Sequence, residues 1–554
     1  MSTFDAARPA PDGSPPRPRR PTWAAAMATL VCLVLLAGCG GSSKSSSSSG
    51  GTTRPTDGGQ LVVAVGGETN GWNPHQDEWA QSGVLVGSSV LEPLAATAHD
   101  LSAQPWLATS WTPNGTYDTW TIHLRTGVTF QDGEAFDAAA VKQNLDDASS
   151  APLSGEALAG MFKQVTVVDD HTVQVELNQP WAAFPSSFLT GQSAMMMAPK
   201  MLQSSDHGVN HPIGTGAYTF VSWQPGASFV TRKNPTYWQK GLPHLDGLTF
   251  KVLTDPTTQA SALQSGDVGL VFTSSAQIAI QLDGQYTQLR DWSTEPGMAM
   301  VNTLPTVNGK PNPMANLHAR LALAYATNRA AIAAQEGAGV HSPNSPFPPD
   351  SPWGMPENQN GYPSYSLAKA RQQVAIYQQQ TGQPNLTLTL TGTPDTGTQR
   401  VMQILQAQWK EAGIHTDLQG VDQASFITQV VAGHYEVAMF TIYSSPDPDQ
   451  NHYFWSAETA KPEGQVSINF TRYTTAEMQA DLKIGRENPS APARKAAYDD
   501  LVRQINAAAV NIWTFSTPYT LISAHNVHGL PSGPDAAPFG NFQPKTWLAD
   551  LWVG

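Results

Sequence analysis

The chain has 554 residues, with 30 Lys and Arg against 44 Asp and Glu, 43 Pro, 46 Gly and two Cys. At about 100–200 residues per domain there is room for two or three domains with sizeable cores, and 40% hydrophobic residues with 16 Trp exclude wholesale disorder. A formal net charge of −14 leaves no basic footprint for nucleic acid.

In chain order, residues 1–38 read as an export signal: Arg17, Arg19 and Arg20 precede an apolar run from Trp23 to Ala37 that ends in small residues. That run is shorter than the roughly 20 residues a spanning helix needs. It closes on Leu36-Ala37-Gly38-Cys39, which resembles a bacterial lipobox, so cleavage before Cys39 would leave a lipidated N-terminal cysteine. Residues 39–58 then form the lipidated Cys and a Gly/Ser-rich tether, a composition with no core to bury. On this reading Cys32 would leave with the signal and Cys39 would be acylated, which excludes cysteine catalysis, disulfides and thiolate metal sites from the body.

Beyond the tether, strands and helices mix. Leu61–Val65 is an apolar run ending at Gly66-Gly67, as a buried strand does. Trp120, Ile122 and Leu124 alternate with polar residues before a turn at Thr126-Gly127, and Asp169-Asp170 separates two alternating runs in a second hairpin. Asp137 is placed to cap a helix from Ala138. Helical spacing predicts one helix over Asn316–Ala334, one through Val401, Ile404, Leu405 and Trp409 that stops at Gly413, and one from near Pro492 carrying Tyr498, Leu501, Val502 and Ile505. No period of 20–50 residues repeats, so a solenoid is excluded. Nothing demands catalysis: there is no His-Glu-x-x-His, no Gly-x-Ser-x-Gly elbow and no Cys/His metal spacing. His207 and His211 are four apart, but Gly208 and Pro212 put them in a loop. Gly214-Thr215-Gly216 lacks the third glycine of a dinucleotide loop and reads as backbone geometry. No cofactor and no metal are expected.

Several strings converge on one family. Gln104-Pro-Trp-Leu-Ala-Thr-Ser-Trp111, the run from Trp120 to Val141, Pro212-Ile-Gly-Thr-Gly-Ala-Tyr218, Arg232-Lys-Asn-Pro-Thr-Tyr-Trp238, Leu263-Gln-Ser-Gly-Asp267 and the segment around Pro446-Asp447-Pro448 occur in order. Together they resemble the family 5 extracellular solute-binding proteins, the dipeptide and oligopeptide receptors of ABC importers. The resemblance implies an α/β, two-lobed periplasmic-binding-protein-like fold (type II, large cluster with an extra domain) with the ligand cleft between lobes. It implies a first lobe from residues 59–95, 212–298 and 520–554, an accessory domain at 96–211 and a second lobe at 299–519. The implied function is not enzymatic: a monomeric receptor, tethered to the cell membrane by Cys39 on its extracytoplasmic face, captures a short peptide or peptide-like small molecule and passes it to membrane permease subunits.

By the same resemblance, the cleft takes Asn70, Trp72, Glu78 and Trp79 from the loop after the first strand, Met298 to Asn302 from the crossing between lobes, and Phe440, Thr441, Tyr443, Ser444, Asp447 and Asp449 from a later segment. Peptide-binding relatives commonly carry an aspartate for the ligand's ammonium where this chain has Ser444, and Gly269 departs from a frequent Asp. Burying an ammonium without a carboxylate costs several kcal/mol or more. Either Asp447, Asp449 or Glu78 supplies the charge, or the solute has no free amino terminus. An oligosaccharide, a metal chelate and a sensory or interaction lipoprotein without transport therefore stand as alternatives. A surface hydrolase is disfavoured, because no nucleophile with a nearby base is visible.

Overall fold

A computed structural model describes residues 54–554, apart from 78, 99, 153, 159, 292–294, 350, 443–444 and 532–546. The export signal, Cys39, the tether up to residue 53, Glu78, Tyr443 and Ser444 lie outside the described residues. Among the described residues no helix is long and apolar enough to cross a membrane.

Strand β1 (Gln60–Val65) opens the body. A four-stranded antiparallel sheet follows, with β2 (Ala108–Pro113), β3 (Thr119–Leu124), β4 (Phe162–Asp169) and β5 (Thr172–Leu177) in the order β2-β3-β5-β4. Its helix α1 (Ala138–Ser150) starts where Asp137 accepts the Ala140 N–H at 2.9 Å. The chain then rejoins β1 through β6 (Tyr218–Gln224), β7 (Ser228–Lys233), β8 (Gly247–Val252), β9 (Leu270–Thr273) and β10 (Thr287–Asp291). Helices α2 (Pro256–Ser265) and α3 (Ala276–Gln281) follow β8 and β9.

Strand β11 (Pro296–Val301) then enters a second sheet, which β12 (Leu386–Gly392), β13 (Ile414–Gly420), β14 (Val437–Thr441) and β15 (Asn511–Ser516) complete. Around it lie α4 (Leu317–Ala326), α5 (Arg329–Glu336), α6 (Thr396–Glu411), α7 (Ala476–Glu487) and α8 (Ala491–Ala508). Strand β16 (Tyr519–Ser523) returns to the first sheet, whose order is β6-β7-β8-β1-β9-β16-β10. The second sheet has the order β13-β12-β14-β11-β15.

Two large hydrophobic cores dominate this body, beside a smaller cluster of Ala64, Leu263, Val271 and Ile522 on the first sheet. One runs from β1 into the four-stranded sheet and includes Leu61, Trp120, Phe184 and Leu551. The other holds Met298, Leu323, Leu390, Trp409 and Tyr498 around the five-stranded sheet. Burying apolar surface at about 25 cal/mol per Å² drives each separately, so the molecule has two lobes joined by the crossings of β11 and of the β15–β16 link.

The four-stranded sheet is fastened to the first lobe by a buried carboxylate. Glu92 accepts from Trp106 Nε1 at 3.1 Å, Thr215 Oγ1 at 2.8 Å, Tyr237 Oη at 2.8 Å and Trp238 Nε1 at 3.0 Å. Burial still pushes its carboxyl up to about 7 against those four donors. Beside it, a Cβ on Gly214 would sit 2.3 Å from the Val90 carbonyl oxygen and one on Gly216 2.7 Å from it, so these glycines permit backbone approach, as read from sequence.

One expectation is corrected. The single helix over Asn316–Ala334 is two, α4 and α5, broken at Thr327-Asn328. Asn328 is the reason: its side chain accepts the Ala331 N–H at 3.1 Å and starts a new helix. Thr327 holds the corner by donating to Leu323 O and accepting from Trp409 Nε1.

Candidate functional site

In the first lobe β1 runs parallel to β8 and β9, and in the second β12 runs parallel to β13 and β14. In open α/β sheets the crevice outside the carboxyl ends of such strands is where ligands bind. Here both sets of ends face one cavity of about 690 Å³. The first lobe lines it with Thr254 and Thr257 after β8 and with Ser274, Ser275 and Gln277 after β9. The second lobe contributes Thr393, Asp395 and Thr398 after β12 and Met439, Phe440 and Thr441 from β14. The crossing segments supply Gly297, Met298, Thr514, Phe515 and Thr517. A volume of this order suits a small molecule held by a few placed polar groups and apolar walls.

Local capping explains much of this lining. Asp255 accepts the Thr258 N–H at 2.7 Å and starts α2, and Asp395 accepts the Thr398 N–H at 2.9 Å and starts α6. The positive ends of these helices are therefore met by their own carboxylates. Burial works against the Asp395 charge, but hydrogen bonds from Thr393 and Thr398 outweigh it and hold the carboxyl below its usual range. The remaining charges on the wall are Glu336 and Arg400, paired at 2.6 Å. Gly297 is required on the floor, because a Cβ there would lie 2.8 Å from the Phe515 carbonyl oxygen.

Where the chain crosses between lobes, Glu295 is 2% exposed, and accepts from Gln81 Nε2 at 2.6 Å and from Tyr519 Oη at 2.8 Å. Its carbonyl also takes the Thr517 N–H at 2.9 Å, which ties the outgoing crossing to the returning one. Burial pushes the Glu295 carboxyl up to about 7.

Of the residues named from sequence, the structure brings Met298, Phe440 and Thr441 together on the cavity wall. It sends others elsewhere. Trp72 and Trp79 are 1% and 0% exposed and pack into the first core, with ring centroids 5.9 Å apart and Trp72 4.5 Å from Phe229. Asn70 is exposed. Asn302 is buried and spends its amide on Gly433 O and Tyr435 O, both at 2.9 Å.

Asp447 and Asp449 are buried in ion pairs. Asp447 takes Arg494 Nη2 on one oxygen and Ser186 Oγ at 2.6 Å on the other. Asp449 takes Arg486 Nε at 3.0 Å on one oxygen and Trp181 Nε1 on the other. Burial alone would raise the Asp449 carboxyl, but the Arg486 guanidinium, His452 and Arg494 together outweigh it and hold the group below the usual carboxylate range. Asp449 borders a second, smaller cavity of about 140 Å³ with Trp181, Gln192 and Tyr453, and neither aspartate lines the larger one.

Sequence reasoning missed Gly297, Glu336, Arg400 and Thr514. The one available signal was positional: a helix start after a parallel strand marks a ligand-facing edge, and Arg400 lies in the second turn of such a helix. Among the described residues no group of His, Cys, Asp and Glu could hold a metal ion.

Comparison with known proteins places this arrangement. A profile of bacterial extracellular solute-binding proteins, family 5 (middle region), matches residues 102–463. A glutathione-binding protein from Salmonella paratyphi A is 29% identical over 502 residues, spanning 86% of this chain and 92% of its own. The oligopeptide-binding protein AppA of Bacillus subtilis, solved with a nonapeptide, has a TM-score of 0.76 at 19% identity, over 90% of this chain and 100% of that one. The binding protein AgaA of A. tumefaciens R10, solved with agropinic acid, has a TM-score of 0.76 at 22% identity, over 90% and 99%. The likenesses establish a mixed α/β, two-lobed fold. Family 5 proteins are transport receptors and not enzymes, and the profile match shows that the chain belongs to the bacterial extracellular solute-binding proteins of family 5.

Proposed function

We propose that this chain is the receptor of an ABC importer for a peptide-like solute, tethered through Cys39 outside the cytoplasm and working as a monomer. The observation that carries the reading is the 690 Å³ cavity at the carboxyl ends of the parallel strands of both sheets, floored by the segments that join the lobes. A solute touching both walls stabilises the closed arrangement only, so binding shifts the open–closed equilibrium by that difference in affinity. The permease then reads the closed form. The lobe limits are those of the sequence analysis, 59–95 with 212–298 and 520–554, 96–211, and 299–519. Glutathione and oligopeptides, named for the similar proteins, set the expected solute class.

The test is to denature the purified protein and identify what it releases by mass spectrometry, then to measure rebinding by calorimetry and closure by solution scattering. Short peptides or glutathione, with a smaller radius of gyration when bound, are the expected result. A sugar or chelate would keep the receptor and replace the solute class. An empty protein that binds nothing from a broad panel would move the chain to a sensory or interaction role.

A further inference from the structure

The larger cavity carries an acid that the protein itself leaves half satisfied. Glu336 is the last residue of α5, where the carbonyl end of the helix already bears partial negative charge. Its side chain is 12% exposed, and Oε2 accepts from Arg400 Nη2 at 2.6 Å. The other oxygen, Oε1, is buried with no hydrogen-bond partner. Thr514, fully buried on the cavity floor, likewise has no partner for its Oγ1. Arg400 is 45% exposed, so water screens the one cation of the described lining, while Asp395 adds a further carboxylate to the same wall.

The place is also where the lobes come together. A Cβ on Gly337 would lie 2.8 Å from the Ala276 side chain and 3.3 Å from Ile280 Cδ1, across in the first lobe. Water is therefore kept from Glu336 on that side. A buried carboxylate oxygen without a donor is costly, and a ligand that brings charged N–H donors removes the cost. The aspartates of the later segment are not free for this task, because Arg494 and Ser186 occupy Asp447, and Arg486 and Trp181 occupy Asp449.

We infer that Glu336 Oε1, with the Thr514 hydroxyl, forms the subsite that receives the ammonium group of an amino-bearing solute in the cavity between the lobes. The assignment rests on the receptor reading above. It makes Glu336 and Thr514 specificity residues, and it removes the need for a carboxylate at Ser444.

The test compares glutathione and trialanine, each beside its N-acetylated form, by calorimetry on wild type, Glu336→Gln and Thr514→Val, with the solute found by mass spectrometry added to the panel. Glu336→Gln keeps the side chain's shape and an acceptor for Arg400, and thermal melts verify folding. Wild type is expected to prefer the amino form by about 10–100-fold, the range of a hydrogen bond to a charged group. Glu336→Gln should erase that preference by weakening the amino form alone, and Thr514→Val should lower it about 5–10-fold. If Glu336→Gln does not fold, Thr514→Val decides by the same discrimination. A Glu336→Gln protein that keeps the full preference, or a wild type that takes both forms equally, overturns the subsite and leaves the receptor standing. An amine-free native solute does the same. No binding by wild type and no released solute overturns both.

Discussion

The turn Asp447-Pro448-Asp449 holds two carboxylates at 1% and 2% exposure, and replacing Asp449 by Asn isolates what one buried charge pair contributes. Asn keeps the shape and an acceptor for Trp181 Nε1, but Arg486, 7% exposed, loses its carboxylate. Removing one partner of a buried ion pair costs about 3–5 kcal/mol, chiefly because the surviving charge is uncompensated. Since the single Asn oxygen serves Trp181 and its NH2 group then faces Arg486, at least the lower end, about 3 kcal/mol, is expected. For domains of about 150–250 residues, each kcal/mol shifts the thermal midpoint by about 2–4 °C, so the drop should be at least about 6 °C. Circular-dichroism melts at pH 7 of wild type, Asp449→Asn, Arg486→Gln and the double variant measure it. If an uncompensated charge is the cause, the double variant recovers about 1 kcal/mol or more over Asp449→Asn. The pH dependence has a definite sign. The native carboxyl lies below its ordinary 3.8, so its contribution is complete above that value and is lost as pH falls below it. The gap between wild type and Asp449→Asn must therefore narrow in acid. A variant melting within about 1 °C of wild type, or a double variant no better than Asp449→Asn, refutes the reasoning.

Glu92 and Glu295 act in the opposite direction. Burial raises both to about 7 from an ordinary 4.5, so their contribution is full below the ordinary value and lost as pH rises through about 7. Each is worth up to about 3 kcal/mol. Melts from pH 5 to 8 should show stability falling for wild type and falling less for Glu295→Gln, and an unchanged slope in the variant counts against the burial account. Gly297→Ala places a methyl against the Phe515 carbonyl on the cavity floor. Its overpacking costs about 1–3 kcal/mol of stability and should weaken solute affinity at least about tenfold by calorimetry; unchanged affinity would place the solute elsewhere. Cys39→Ser should move the protein from the membrane fraction to the soluble fraction on cell fractionation, and retention in the membrane would contradict a lipid tether.

What was legible in the chain follows from how far apart the cooperating residues lie. The Leu61–Val65 strand, the hairpin at Asp169-Asp170 and the cap at Asp137 are local, and hydrophobic alternation or a capping hydrogen bond within a few residues carries each. The α4–α5 break was illegible because apolar spacing continues across it, and only Asn328 competes. Met298, Phe440 and Thr441 could be named because ordered motifs identify strands that face a cleft. Glu336 and Arg400 could not, since 64 residues separate them and each alone reads as an ordinary helix residue.

The same distance explains why the acidic turn misleads. Arg486 and Arg494 lie 37 and 47 residues beyond the aspartates they hold, and no period links them. A motif shows which charges a segment carries. Whether a charge is free for a ligand depends on which distant side chains already compensate it, and that is a property of packing. In this fold both aspartates of the motif are spoken for by arginines and by donors around the four-stranded sheet, while an acid outside any motif, on the cavity wall, keeps a buried oxygen without a donor. Recognition charge has thus to be sought among incompletely paired groups on the wall, and Glu336 is where that criterion leads.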